Sequence, residues 1–72
     1  MTKHYEVVGK DFTVDGWETL KETKTINQAI NYIKKNVNVD KYTDDNNDVW
    51  LDINLIINDD LIETYDLNGK VR

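Results

Sequence analysis

Seventy-two residues with a net charge of −5, 39% apolar and 32% charged, make one small acidic domain spanning 1–72, inside the globular range rather than the disordered one. Cysteine and serine are absent and His4 is the single histidine, which excludes disulfide scaffolds, thiolate metal centres, serine and cysteine nucleophiles and any multi-histidine site. No apolar run approaches the ~18 residues of a membrane span and the first residues lack an apolar signal core, so a non-membrane, cytoplasmic protein is expected.

Residues 4–14 are rich in β-branched and aromatic side chains and run into Val14-Asp15-Gly16-Trp17. Asp-Gly between apolar residues is a two-residue hairpin signal, because both central positions need positive φ. Pairing outward sets Val14 opposite Trp17 and Phe12 opposite Thr19. Apolar parity shifts between Tyr5 and Val7 on one side and Val8, Phe12 and Val14 on the other, which calls for a bulge near Gly9-Lys10.

Thr25-Ile26-Asn27-Gln28 reads as a capping box, with the Thr hydroxyl taking an orphan N–H and Gln28 reaching back. Ile26, Ala29, Ile30, Ile33 and Val37 then recur at helical spacing. Lys34 and Lys35 suit the negative end of the helix, and Asn36 or Asn38 can close it in the left-handed conformation. Residues 38–48, polar apart from Val39 and Tyr42, read as a loop.

The next strand alternates with unusual regularity. Val49, Leu51, Ile53, Leu55 and Ile57 face one way, and Trp50, Asp52, Asn54 and Ile56 the other. Residues 61–67 are its partner, and face matching decides the register, since a slip of one residue inverts every side chain. A three-residue loop, Asn58-Asp59-Asp60, sets Ile57 by Leu61, Leu55 by Glu63, Ile53 by Tyr65 and Leu51 by Leu67, with Asp60 in the left-handed position. Asn68-Gly69 marks a further turn before a short stub. The expected fold is a small two-layer α+β sandwich of ββαββ order, with one helix on a mainly antiparallel four-stranded sheet.

Several residue groups are candidates for chemistry. Asp44-x-Asn46-x-Asp48 matches the opening of a calcium loop, but Val49 stands where the tight-turn Gly belongs and Leu55 where the bidentate Glu belongs. A solvated acidic loop is therefore expected, with a calcium-binding module only as an alternative. Asp52 beside Trp50 is the nearest candidate for a catalytic carboxylate, yet so small a domain rarely encloses the cleft that acid–base work needs, so no enzyme and no cofactor are expected. His4 reads as a surface or strand-edge histidine.

One helix covers one sheet face, which leaves Trp50, Ile56 and Ile62 on the other, with Ile56 and Ile62 as cross-strand neighbours. Exposed Trp and Ile there make a protein–protein patch, and homodimerisation is the simplest case. Alternatively, the N-terminal segment or the 38–48 loop folds over them. Charge supplies a second reading. Residues 1–38 balance six lysines against five acids, whereas 39–72 set Lys41, Lys70 and Arg72 against nine. Direct nucleic-acid binding is disfavoured despite a local patch of Lys21, Lys24, Lys34 and Lys35. Asp44, Asp45, Asp48, Asp52, Asp59, Asp60 and Asp66 could instead occupy a basic groove, as in a phage-type inhibitor or nucleic-acid mimic. Asn, Ile, Lys and Tyr supply 28 of the 72 residues, a bias that AT-rich coding explains and that points to bacterial or phage origin.

Overall fold

A computed structural model describes residues 2–10 and 16–72. In chain order they form β1 (Lys3–Gly9), β2 (Glu18–Thr23), α1 (Ile26–Asn36), a 3₁₀ turn (Val39–Tyr42), β3 (Leu51–Ile57) and β4 (Asp60–Tyr65). The strands make one sheet in the order β2-β1-β3-β4, antiparallel at every pairing. This is the small α+β sandwich of ββαββ order that the sequence predicts. Among the described residues no helix is long and apolar enough to cross a membrane.

Two central strands carry the core. Odd-numbered residues of β1 and β3 oppose one another, Val7 against Ile53 and Tyr5 against Leu55, and turn toward the helix side. Val7, Leu51 and Ile53 are fully buried there with Ala29, Ile33 and Tyr42. Each large aliphatic side chain so buried contributes about 1.5–3 kcal/mol of transfer free energy. The helix touches β1 and β2, so the β3–β4 half of this face needs other cover. Tyr42, Tyr65 and Leu67 supply it.

The helix begins as expected and ends differently. Thr25 accepts a hydrogen bond from the Gln28 N–H at 3.1 Å, and Gln28 reaches back to the N–H of Lys24, one residue before the cap. Val37 closes the helix in extended conformation, its N–H still donating to the Ile33 carbonyl. Neither Asn36 nor Asn38 is left-handed. Asn38 instead caps the 3₁₀ turn by accepting from the Asp40 N–H at 3.2 Å. Helix stop and turn start are fused, which leaves no room for a left-handed linker residue.

That turn corrects the reading of 38–48 as plain loop, because it buries Tyr42. The ring packs against Gly9, where an added Cβ would sit 2.8 Å from both Tyr42 Cδ1 and Cε1 and 3.0 Å from Leu51 Cδ2. The Tyr42 hydroxyl donates to Glu18 at 3.3 Å, so the buried phenol keeps a partner.

Two registers also differ. The break between β1 and β2 lies between Val7 and Val8, where Lys21 and Thr19 are the successive partners and Leu20 is the extra residue. It is not at Gly9-Lys10, and the partner of Thr19 is Val8. Phe12, Val14 and Asp15 lie outside the described residues. At the second hairpin the turn is the two-residue pair Asn58-Asp59, at φ of 51° and 69°, and Asp60 pairs with Ile57. The expected pairs Leu55–Glu63 and Ile53–Tyr65 still form, because Ile62 is inserted as a bulge and Leu61 faces Ile56 rather than Ile57; the expected Leu51–Leu67 pair does not, since β4 ends at Tyr65. Glu63, an acid on the core side, hydrogen-bonds with the Tyr65 hydroxyl, and this bond leads the causes that raise the phenol above its usual range.

Two stability outcomes follow. Asp59→Gly creates the Asn-Gly pair that this mirror-image turn prefers and should stabilise by about 0.5–1 kcal/mol, while Asp60→Gly should not. Urea midpoints in which Asp60→Gly is the better variant would reject this turn. Gly9→Ala forces Tyr42 off the strand and should cost about 1–3 kcal/mol, read from the same titrations.

Candidate functional site

The sheet face away from α1 bears the even-numbered residues of the central strands, His4, Glu6 and Val8 from β1 and Asp52, Asn54 and Ile56 from β3. Its middle is polar. Thr64 donates to Asn54 at 2.9 Å, and Arg72 closes on Asp52 at 2.7 Å. Apolar groups occupy its two ends, about 20 Å apart, as six residues of strand rise require.

At one end stands Trp50, the first of the three residues expected to bind a partner. It is half-buried and held from within the chain. Its indole N–H donates to Asp44 at 3.0 Å, Trp17 tilts against it with centroids 6.0 Å apart, and the Lys10 ammonium lies 5.4 Å from the ring centre. Trp17 and Trp50, with Asp48, Val49, Asp52 and Arg72, wall an open cleft of about 290 Å³. Trp17 thus packs against the other indole, a contact the strand pattern does not contain. The alternative in which the 38–48 loop closes over the apolar face applies at this end.

Asp44 is what closes it. One carboxylate oxygen accepts from the backbone N–H groups of Asn46 and Asp48, each at 2.9 Å, and the other from Trp50. The Trp50 bond is the largest cause holding the Asp44 carboxyl below its ordinary value, followed by the Asp48 N–H, with Asn46 adding to them. Three of roughly four lone-pair sites are taken by N–H donors, so this carboxylate has little left for a hard cation. The acidic pattern that resembles the opening of a calcium loop is, at Asp44, an internal clasp.

The same clasp recurs at the C-terminal turn. Asp66 accepts from the N–H groups of Asn68 and Lys70, both at 2.9 Å, and Gly69 has the positive φ that Asn47 has in the first loop. In each loop the Asp N–H donates to the carbonyl four residues on, and an isolated bridge follows, Thr43–Val49 or Tyr65–Val71. The shared pattern is Asp-x-Asn-[Asn/Gly]-x-Val. Asp66 is also held low, first by the Lys70 N–H and then by that of Asn68, with the Arg72 and Lys70 charges adding. Of the seven acids proposed as a surface array, Asp44 and Asp66 are clasps and Asp52 is paired with Arg72, while Asp45, Asp48, Asp59 and Asp60 are exposed.

At the other end of the face, Ile56 is half-buried opposite Leu61, and the bulge places Ile62 next to it. Leu61 is 59% exposed and Ile62 54%. Ile62 and Ile56 are therefore diagonal neighbours rather than a direct pair, and Leu61 is the member that sequence reasoning missed. Its hidden signal was the turn length, since one residue fewer in the loop moves Leu61 onto this face. Lys21, Lys24 and Lys35 line one further cleft beside Tyr32 on the helix side, without Lys34.

No family model, curated protein or solved structure matches this chain.

Because folding lowers the pKa of Asp44 and of Asp66, their stabilisation is complete above the ordinary value of 3.8 and is lost as the pH falls through the lower folded value. Asp44→Asn should cut the acid-induced loss of stability more than Asp66→Asn and cost more at neutral pH, because any orientation of the amide sets a donor against a donor. Equal acid melting curves for the two variants would contradict the indole bond.

Proposed function

We propose that this chain is a non-enzymatic protein–protein interaction module whose partner is a second copy of itself, docked through Ile56, Leu61 and Ile62. The observation that carries this reading is the pair of adjacent, more than half-exposed aliphatic side chains, Leu61 and Ile62, beside Ile56 on a sheet face that no helix of the described residues covers. Water-exposed apolar neighbours of this kind are favourable to bury and unfavourable to leave open.

A second copy fits because the patch is apolar and complements itself: a two-fold contact sets Leu61 and Ile62 of one copy against the same residues of the other. The bulge at Ile62 disfavours edge-to-edge strand pairing, so the contact is face to face. Trp50 lies at the far end of the strand and is bound to Asp44, so it is outside the patch in this reading. A contact this small gives micromolar rather than nanomolar association.

Sedimentation of the full chain at high micromolar concentration should show a dimer, and Ile62→Asp should make it a monomer. Trp50→Ala should lower stability and leave the dimer. A monomeric parent protein, or a dimer unaffected by Ile62→Asp, would sink the proposal.

A further inference from the structure

We propose that His4, Glu6 and Glu22 form a binding site for one divalent transition-metal ion, with Zn²⁺ as the representative ligand. His4 and Glu6 stand two apart on β1 and therefore share a face, and Glu22 is the direct cross-strand partner of Glu6 on β2. The ligand atoms of the three side chains all lie within 4.8 Å of one another. His4 Nε2 is already 3.1 Å from Glu6 Oε2, close to the ~3.3 Å edge of a tetrahedron with zinc-to-ligand distances near 2 Å. Rotation of the exposed Glu22 side chain closes the third corner.

An independent observation points the same way. Two carboxylates directly opposite each other on neighbouring strands repel, and such a pair is unfavourable unless a cation lies between them. Glu22 has no ion pair or side-chain hydrogen bond among the described residues, and Glu6 has only His4. Lys3 is directed over the Tyr5 ring, 5.8 Å from its centre, rather than at either acid. One imidazole and two carboxylates suit zinc and its neighbours; calcium requires six to eight oxygens. An open cleft of about 430 Å³ adjoins His4 and Glu22, so water or an external anion can take the fourth position. A β1 histidine read from sequence as a strand-edge or surface group thus lies in the middle of the sheet beside two acids.

The test is calorimetric titration of the metal-stripped full chain with Zn²⁺, with Ca²⁺ and Asp45→Asn as controls. One zinc per chain is expected, weakened about 10-fold or more by His4→Ala and by Glu22→Gln, retained in Asp45→Asn, and not displaced by Ca²⁺. Circular dichroism shows whether the variants remain folded; Glu22→Gln, at an exposed edge position, keeps the comparison valid if His4→Ala does not. No zinc heat, or zinc binding that survives Glu22→Gln or is lost in Asp45→Asn, overturns the site.

Discussion

The alternation of β3 against β1 is the constraint on which the remaining structure rests. Leu51 and Ile53 can be fully buried only if every odd residue of β3 turns toward α1, and Val7 and Tyr5 of β1 must match them. Once that parity is fixed, the even residues have no choice. His4 and Glu6 come together beside Glu22, Asp52 meets Arg72, and Ile56 is left beside Leu61 and Ile62. Both functional proposals concern residues placed by a core that none of them enters.

Two irregularities adapt that regular sheet to the rest of the chain. Leu20 is an extra residue in β2 and Ile62 in β4, one in each edge strand. An edge strand can absorb an insertion because its outer side has no ladder to break. In β4 the insertion restores core matching after a two-residue turn, and the same residue is displaced onto the uncovered face. A stability requirement thereby creates the exposed aliphatic pair.

The acidic half of the chain is less uniform than its charge implies. Asp44 and Asp66 face backbone N–H groups, where the carboxylate replaces hydrogen bonds that a tight loop cannot make with itself. Asp52 faces a guanidinium. What remains exposed is concentrated near the Asn58-Asp59 turn and at Asp45 and Asp48, which weakens the case for a continuous phosphate-like row and leaves the like-charged Glu6–Glu22 pair as the less expected feature.

The helix start, the β3 face and the Leu55–Glu63 and Ile53–Tyr65 pairs were legible in the sequence, because each depends on periodicity or on hydrogen bonds spanning three or four residues. The Asp-x-Asn clasps were equally local, though their acidic composition resembled a cation loop. Tyr42 was not legible as core, since its burial requires a residue without a Cβ, Gly9, on a strand thirty-three residues earlier. Nor was the position of Trp50, which needs the 44–48 loop to return its carboxylate to the indole. The grouping of His4 with Glu22 could not be read either, because cross-strand register between β1 and β2 is set by where Leu20 bulges. Short-range hydrogen bonding and apolar period determined the elements; the tertiary structure alone decided which side chains meet, because those contacts depend on insertions of a single residue that the apolar pattern does not register.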